Sequence, residues 1–346
     1  LSVSYNKLGD VAIAQGDLEA AARAYRDGLA IRSKLADSDP RNSQWQRDLS
    51  VSYNKLGDVA IAQGDLKAAA RAFRNDLAIA IKLANNDPRN SEWQRDLSVS
   101  YDRLGDVAIA QGDLDAAARA FRNGLAIRSK LADSDPRNSD WQRDLSISYN
   151  KLGDVAKAQG DLEAAARAFR DGLAIRSKLA DSDPRNSEWQ RDLSVSYDRL
   201  GDVAKAQGDL EAAARSFRDG LAIRSKLADS DPRNSQWQRD LSVSYNKLGD
   251  VAKAQGDLDA AARAFRDGLA IRSKLADSDP RNSEWQRDLY VSYWLLADLA
   301  EQSNQSKEAR GYWQKAFDVL SGIDKRGLHV SPEDRRFLEQ LRQKLK

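Results

Sequence analysis

"LGDVAIAQGDLEAAARAYRDGL", Leu8 to Leu29, is the stretch whose reading decides the fold. Its first part runs at helical spacing until Gly16, a residue that tolerates the left-handed conformation in which helices end. Asp17 follows at once and is suited to cap a second helix. In that helix Ala21, Ala22, Tyr25 and Leu29 share one face, with Gly28 beside them. Two helices joined by a tight turn are therefore expected, with small residues where they approach each other.

Working outward, the same stretch returns at a fixed interval. "LSVSYNKLGD" begins at Leu1, Leu49 and Leu241, close variants begin at Leu97, Leu145 and Leu193, and a degenerate copy, "LYVSYWLLAD", begins at Leu289. The period is 48 residues, with six near-identical copies and a seventh that diverges. In the unit from Ser43 to Arg89, Ser43 and Gln46 fit a capping box. Trp45, Leu49, Tyr53, Leu56 and Ala60 form an apolar stripe up to Gly64. Asp65 opens the second helix, in which Leu66, Ala69, Ala70, Phe73 and Leu77 face one way. Asn85 to Pro88 close it. One helix pair cannot bury two wide apolar faces, whereas stacked neighbours can, so the expected fold is an all-α solenoid.

The residues resemble the tetratricopeptide repeat family. Leu8 and Gly9 fall in the first helix, Gly16-Asp17 at the turn, and Ala21, Tyr25 and Leu29 in the second helix, as that family's pattern has them. Gly28 takes the place of the family's late small residue, which is Ala316 in the last copy, where Ala309 and Trp313 also fit. The resemblance extends from Leu1 to about Ser321 and implies a right-handed superhelix of helix-turn-helix units. It is of the long-repeat kind carried by bacterial proteins, often behind a signalling or effector domain. The family unit is about 34 residues. The added residues amount to about two turns per helix, which lengthens each helix without rotating its apolar face. Residues 1–321 are thus assigned to the solenoid. In residues 322–346, "SPEDRRFLEQLRQKLK" from Ser331 has a serine cap, Pro332, early acids and late bases, and is expected to be a capping helix.

Charge narrows the partners. Charged residues make up 31% of the chain, yet the net charge is only +2, so there is no basic stripe of the kind nucleic acid requires. No apolar run approaches a membrane span. With no cysteine, disulfides and thiolate-held metals are excluded, and with no signal peptide in view the cytoplasm is the expected compartment. The chain lacks Met and opens inside a repeat, and so reads as a piece of a longer protein.

No catalytic group, metal site or cofactor is expected. His329, the sole histidine, lies in a loop with no constellation around it, and there is no phosphate loop and no HExxH. The six repeated tryptophans, Trp45 to Trp285, sit on the core stripe and are expected to fill space between helices rather than stack on bases. Arg32 falls on the core side of its helix, with a carboxylate of the next repeat as one conceivable partner.

The repeats differ at few positions, and helical arithmetic puts several of these opposite the core stripe. By the family resemblance, that outward face of the first helices lines a concave groove. It carries Asn6, Asn54, Asp102, Asn150, Asp198 and Asn246, and a ladder of Asp10, Asp58, Asp106, Asp154, Asp202 and Asp250. It also carries a column that changes from Ile13, Ile61 and Ile109 to Lys157, Lys205 and Lys253, with Val3 beside it. Such a groove suits an extended segment or helix of a protein partner, and an interaction scaffold or sensor is the expected function. The change from Ile to Lys is equally compatible with a duplication that spread at a tolerant surface site. Self-association through the apolar end at Leu1, and an engineered array without a ligand, are the rival expectations.

Overall fold

A computed structural model describes residues 1–345. Those residues form fifteen α-helices and no strand. Seven helix pairs follow the 48-residue period: α1 Ser2–Ala14 with α2 Leu18–Ser38, α3 Ser43–Ala62 with α4 Leu66–Asn86, α5 Ser91–Ala110 with α6 Leu114–Ser134, and α7 Ser139–Ala158 with α8 Leu162–Ser182. They continue as α9 Ser187–Ala206 with α10 Leu210–Ser230, α11 Ser235–Ala254 with α12 Leu258–Ser278, and α13 Ser283–Gln302 with α14 Ser306–Lys325. The final helix is α15, Pro332–Leu345.

Local chemistry sets these boundaries. Gly16 and Gly64 each stand at φ 77°, and nothing crowds them. Asp17 and Asp65 then accept from the backbone N–H of Ala20 and Ala68, at 2.8 and 2.9 Å. At the longer connections the cap differs from the expected box. Asn42, not Ser43, accepts from the N–H of Trp45 at 3.0 Å, and Ser43 is already helical. Gln46 is then free to turn away, and its amide donates to the Ala36 carbonyl of the preceding helix at 3.1 Å.

The chain forms two compact units, Leu1–Ile175 and Arg176–Lys346. In the first, Phe73 of α4 is fully buried with Ala60, Ala69 and Ala70 of its own pair and Val107 of α5. Each second helix thus wedges between its own first helix and the next one. Burial of such a ring contributes about 1.5–3 kcal/mol. The wedge needs a glycine: a Cβ at Gly57 would lie 2.4 Å from Cε1 of Phe73. The second unit repeats the scheme with Phe217 against Val251, and with Phe265 against Leu296 and Leu299. The tryptophans at the start of the first helices, such as Trp45, are half-buried rather than enclosed, while Leu49 one turn on is buried.

In the second unit α15 lies against α14. Leu338 and Leu341 are buried in one cluster with Ala309, Trp313 and Leu320. Ser331 accepts from the Asp334 N–H at 3.1 Å, and Lys344 reaches Glu301 at 2.8 Å.

Candidate interaction face on the first helices

Three columns on the first helices were expected to face outward, and they behave differently. The asparagine-aspartate column does not lie on an open face. Asp102, Asn150 and Asp198 are buried, and Asn6, Asn54 and Asn246 are half-buried. The cause is the close approach of the second helix at its own glycine. A Cβ at Gly28 would stand 3.2 Å from Asn6 Oδ1, and one at Gly124 would stand 3.3 Å from Asp102 Oδ1. A helix covered by three neighbours keeps a narrower free arc than a single apolar stripe suggests.

The aspartate ladder lies at the edge of that arc, and its members have cationic partners. Asp10 meets Lys55 at 2.8 Å, Asp58 meets Arg103 at 2.7 Å, and Asp106 meets Lys151 at 2.6 Å, in each case a cation from the next first helix. In the second unit Lys247 reaches Asp202 at 2.6 Å. The same cations cross the rings of the second helices, with Lys151 Nζ 4.9 Å from the Phe121 centroid. Hydrogen bonds from Lys55 and Tyr25 hold the Asp10 carboxyl below its ordinary range. Asp58 goes the other way, because its burial outweighs Arg103 and Lys55. Asp154 is half-buried.

The third column is the exposed one in the first unit. Ile13, Ile61 and Ile109 stand clear of the core, as do Val3, Val51 at 40% and Val99 at 39% exposure. Lys157 is exposed as well. In the second unit the lysines of this column reach forward, Lys205 to Asp250 at 3.9 Å and Lys253 to Asp298. The expected basic edge there is a set of ion pairs.

Models of the tetratricopeptide repeat match residues 1–41 and 241–281, 101–123, and 150–220. The chain belongs to the tetratricopeptide repeat family. No curated protein matches the sequence. Among similar solved structures is BtubC (BKLC) from P. vanneervenii, at 19% identity and a TM-score of 0.58, covering 77% of this chain and 94% of that one. The apo form of RapI aligns at 15% identity and 0.53, over 94% and 99%. A signal transduction ATPase with numerous domains and a tetratricopeptide repeat sensor, from Pyrococcus horikoshii, aligns at 13% and 0.60. It is covered over 43% of its length by 94% of this chain. These identities bear on the fold alone. A tetratricopeptide solenoid is in general a protein-interaction module, and among the described residues no helix is long and apolar enough to cross a membrane.

The length added to this tetratricopeptide unit holds a polar network that the sequence reading missed. Arg128 of α6 donates to Ser98 of its own pair at 3.1 Å and to Ser148 of the next at 2.7 Å, and pairs with Asp102 at 2.8 Å. Arg224 does the same with Ser194, Ser244 and Asp198. Arg32 reaches Ser52 of the next pair at 2.8 Å. The guanidinium therefore joins hydroxyls of successive repeats, and the carboxylate it meets is in its own repeat, not the next. The signal was present in the recurring "LS-x-S", whose serines recur as buried residues. The second repeat inverts the charge. Asp76 stands where the other five near-identical repeats have glycine and Ala80 where they have arginine, and Ser50 donates to the fully buried Asp76. Burial pushes that carboxyl up, against the hydrogen bond from Ser50.

Proposed function

We propose that the first-helix face of Leu1–Ile175 docks an extended segment of a protein partner. The observation that carries this reading is the pairing of exposed Val51 and Val99 with exposed Ile61 and Ile109 on the arc that also holds Asp58 and Asp106. Apolar side chains there offer buried area to a ligand, and the flanking ion pairs offer polar contacts to its backbone. Lys157, the lysine of the same column that lies in this unit, is exposed and tunes the charge a partner meets. By analogy with the sensor named in the Pyrococcus horikoshii structure, the module serves as the sensing or scaffolding arm of a larger signalling protein.

The test is selection of peptides from a displayed random library on the intact chain, followed by titration into an Ile61→Glu/Ile109→Glu variant. Loss of two apolar contacts lowers affinity at least about tenfold. Helicity and melting stay nearly unchanged, because both sites are exposed. Peptides that bind the variant as well as the wild type, or a library that yields no binder, refute the assignment.

A further inference from the structure

A second kind of site recurs between successive second helices, away from the face just described. Between α2 and α4 an open crevice of about 370 Å³ has Leu56 and Val59 of α3 beneath it, with Tyr53, Arg26 and Ala72 at its walls. Between α4 and α6 the same crevice returns at about 260 Å³, with Leu104, Val107, Tyr101, Arg74 and Ala120 in the matching places. Both lie within the first unit.

The equivalent crevice between α12 and α14, in the second unit, measures about 130 Å³. It is smaller because the residue matching Ala72 and Ala120 is Tyr312. The Tyr312 ring stacks on Tyr293, the counterpart of Tyr53 and Tyr101, with centroids 6.4 Å apart and planes at 27°. It packs on Leu296 and Leu299. Arg266, the counterpart of Arg26 and Arg74, lines the same crevice beside the Tyr312 ring and pairs with Glu308 at 3.4 Å. The last crevice is thus the common crevice with a phenol ring in it.

We infer that the crevices between α2 and α4 and between α4 and α6 each take one tyrosine side chain of a partner polypeptide. The floor, the aromatic wall and the arginine that surround Tyr312 are all present there, and only the ring is missing from the chain itself. An aromatic ring gains area and an offset stack, and its hydroxyl keeps a partner at the polar rim. Two such pockets in adjacent repeats favour a segment with two tyrosines over a segment with one, because the second contact is made at high effective concentration.

The probe is N-acetyl-L-tyrosinamide, titrated into the intact chain with labelled alanine, leucine and valine methyl groups and followed by nuclear magnetic resonance. Saturable shifts are expected at Leu56, Val59 and Ala72, and at Leu104, Val107 and Ala120. Ala72→Tyr/Ala120→Tyr removes them, since the chain then fills its own crevices. Tyr312→Ala does the converse and opens a new site that shifts Leu296 and Leu299. Among peptides with two tyrosines at increasing separations, one separation binds at least about tenfold more tightly than a peptide with one. The absence of saturable shifts, shifts that survive in the double tyrosine variant, or no new site in Tyr312→Ala overturns the inference.

Discussion

Gly57→Ala tests the packing shared by the six near-identical repeats, from which the seventh departs with Ala297 and Trp313. Carbon atoms at rest stand about 3.5–4.0 Å apart. A Cβ at residue 57 would lie 2.4, 2.5 and 2.8 Å from three atoms of the Phe73 ring, so the ring would have to retreat by about 1 Å. It has nowhere to go: Phe73 is fully buried among Ala69, Ala70 and Val107. Overpacking of this kind costs about 1–3 kcal/mol, and alanine returns about 0.5–1 kcal/mol of helix propensity. The net expectation is a loss of about 1–2 kcal/mol. In a solenoid the loss stays near its source, so hydrogen exchange in α3 and α4 should quicken about five- to thirtyfold while α13 is unaffected. Gly311→Ala is the control with the opposite sign. Nothing lies within 4 Å of a Cβ there, so propensity alone acts and α14 gains about 0.5–1 kcal/mol. Gly57→Ala/Phe73→Leu should recover part of the loss, as contacting residues do in a mutant cycle. A Gly57→Ala protein more stable than the wild type would refute the reasoning.

Three further outcomes follow from the buried polar network and the ion pairs. Arg128→Ala leaves Asp102 buried without its cation and costs about 3–5 kcal/mol by urea unfolding. Adding Asp102→Asn recovers part of it, and an equal loss in both variants would show that the charge is not the cause. Asp76 binds its proton more tightly folded than unfolded, so the stability it contributes is full below the ordinary carboxylate range and is lost as pH rises through the folded value. Asp76→Asn should therefore gain on the wild type in urea midpoint between about pH 4 and pH 8, and a constant difference over that range would count against a buried, proton-retaining carboxyl. Lys253→Ile removes a partly exposed ion pair and should cost less than about 1 kcal/mol, a loss that shrinks further in high salt. A larger, salt-independent loss would mean that the lysine has a packing role.

The helix boundaries and the stacking were legible because each has a strong local cause. Gly64 and Asp65 end one helix and start the next within two residues, and Phe73 recurs on a face whose neighbours are alanines. The outward face was less legible. One apolar stripe defined its opposite, but a first helix here touches its own second helix, the preceding second helix and the next first helix. Asp102 lies in the arc that the first of these covers. The serine-arginine network escaped for a different reason. Ser98, Ser148 and Arg128 are polar residues whose partners lie 20 to 30 residues away, and no helical periodicity relates them. The swap of Gly and Arg for Asp76 and Ala80 was visible as a pair of substitutions, yet only their shared pocket explains why they occur together.

The change from Ile to Lys in one column has a structural reason at two of its three places. In the first unit Asp10, Asp58 and Asp106 take their cation from the next first helix, through Lys55, Arg103 and Lys151. That supply fails at the last repeat, where the matching residue is Leu295. Asp250 is then met from behind by Lys205, and Asp298 by Lys253. A lysine in place of Ile13 or Ile61 would meet aspartates already paired, whereas at 205 and 253 it answers carboxylates that the divergent last repeat leaves without a forward partner. The exposed isoleucines of the first unit are under no such demand. Exposed as they are, Ile13, Ile61 and Ile109 are the side chains that the proposed docked segment would cover.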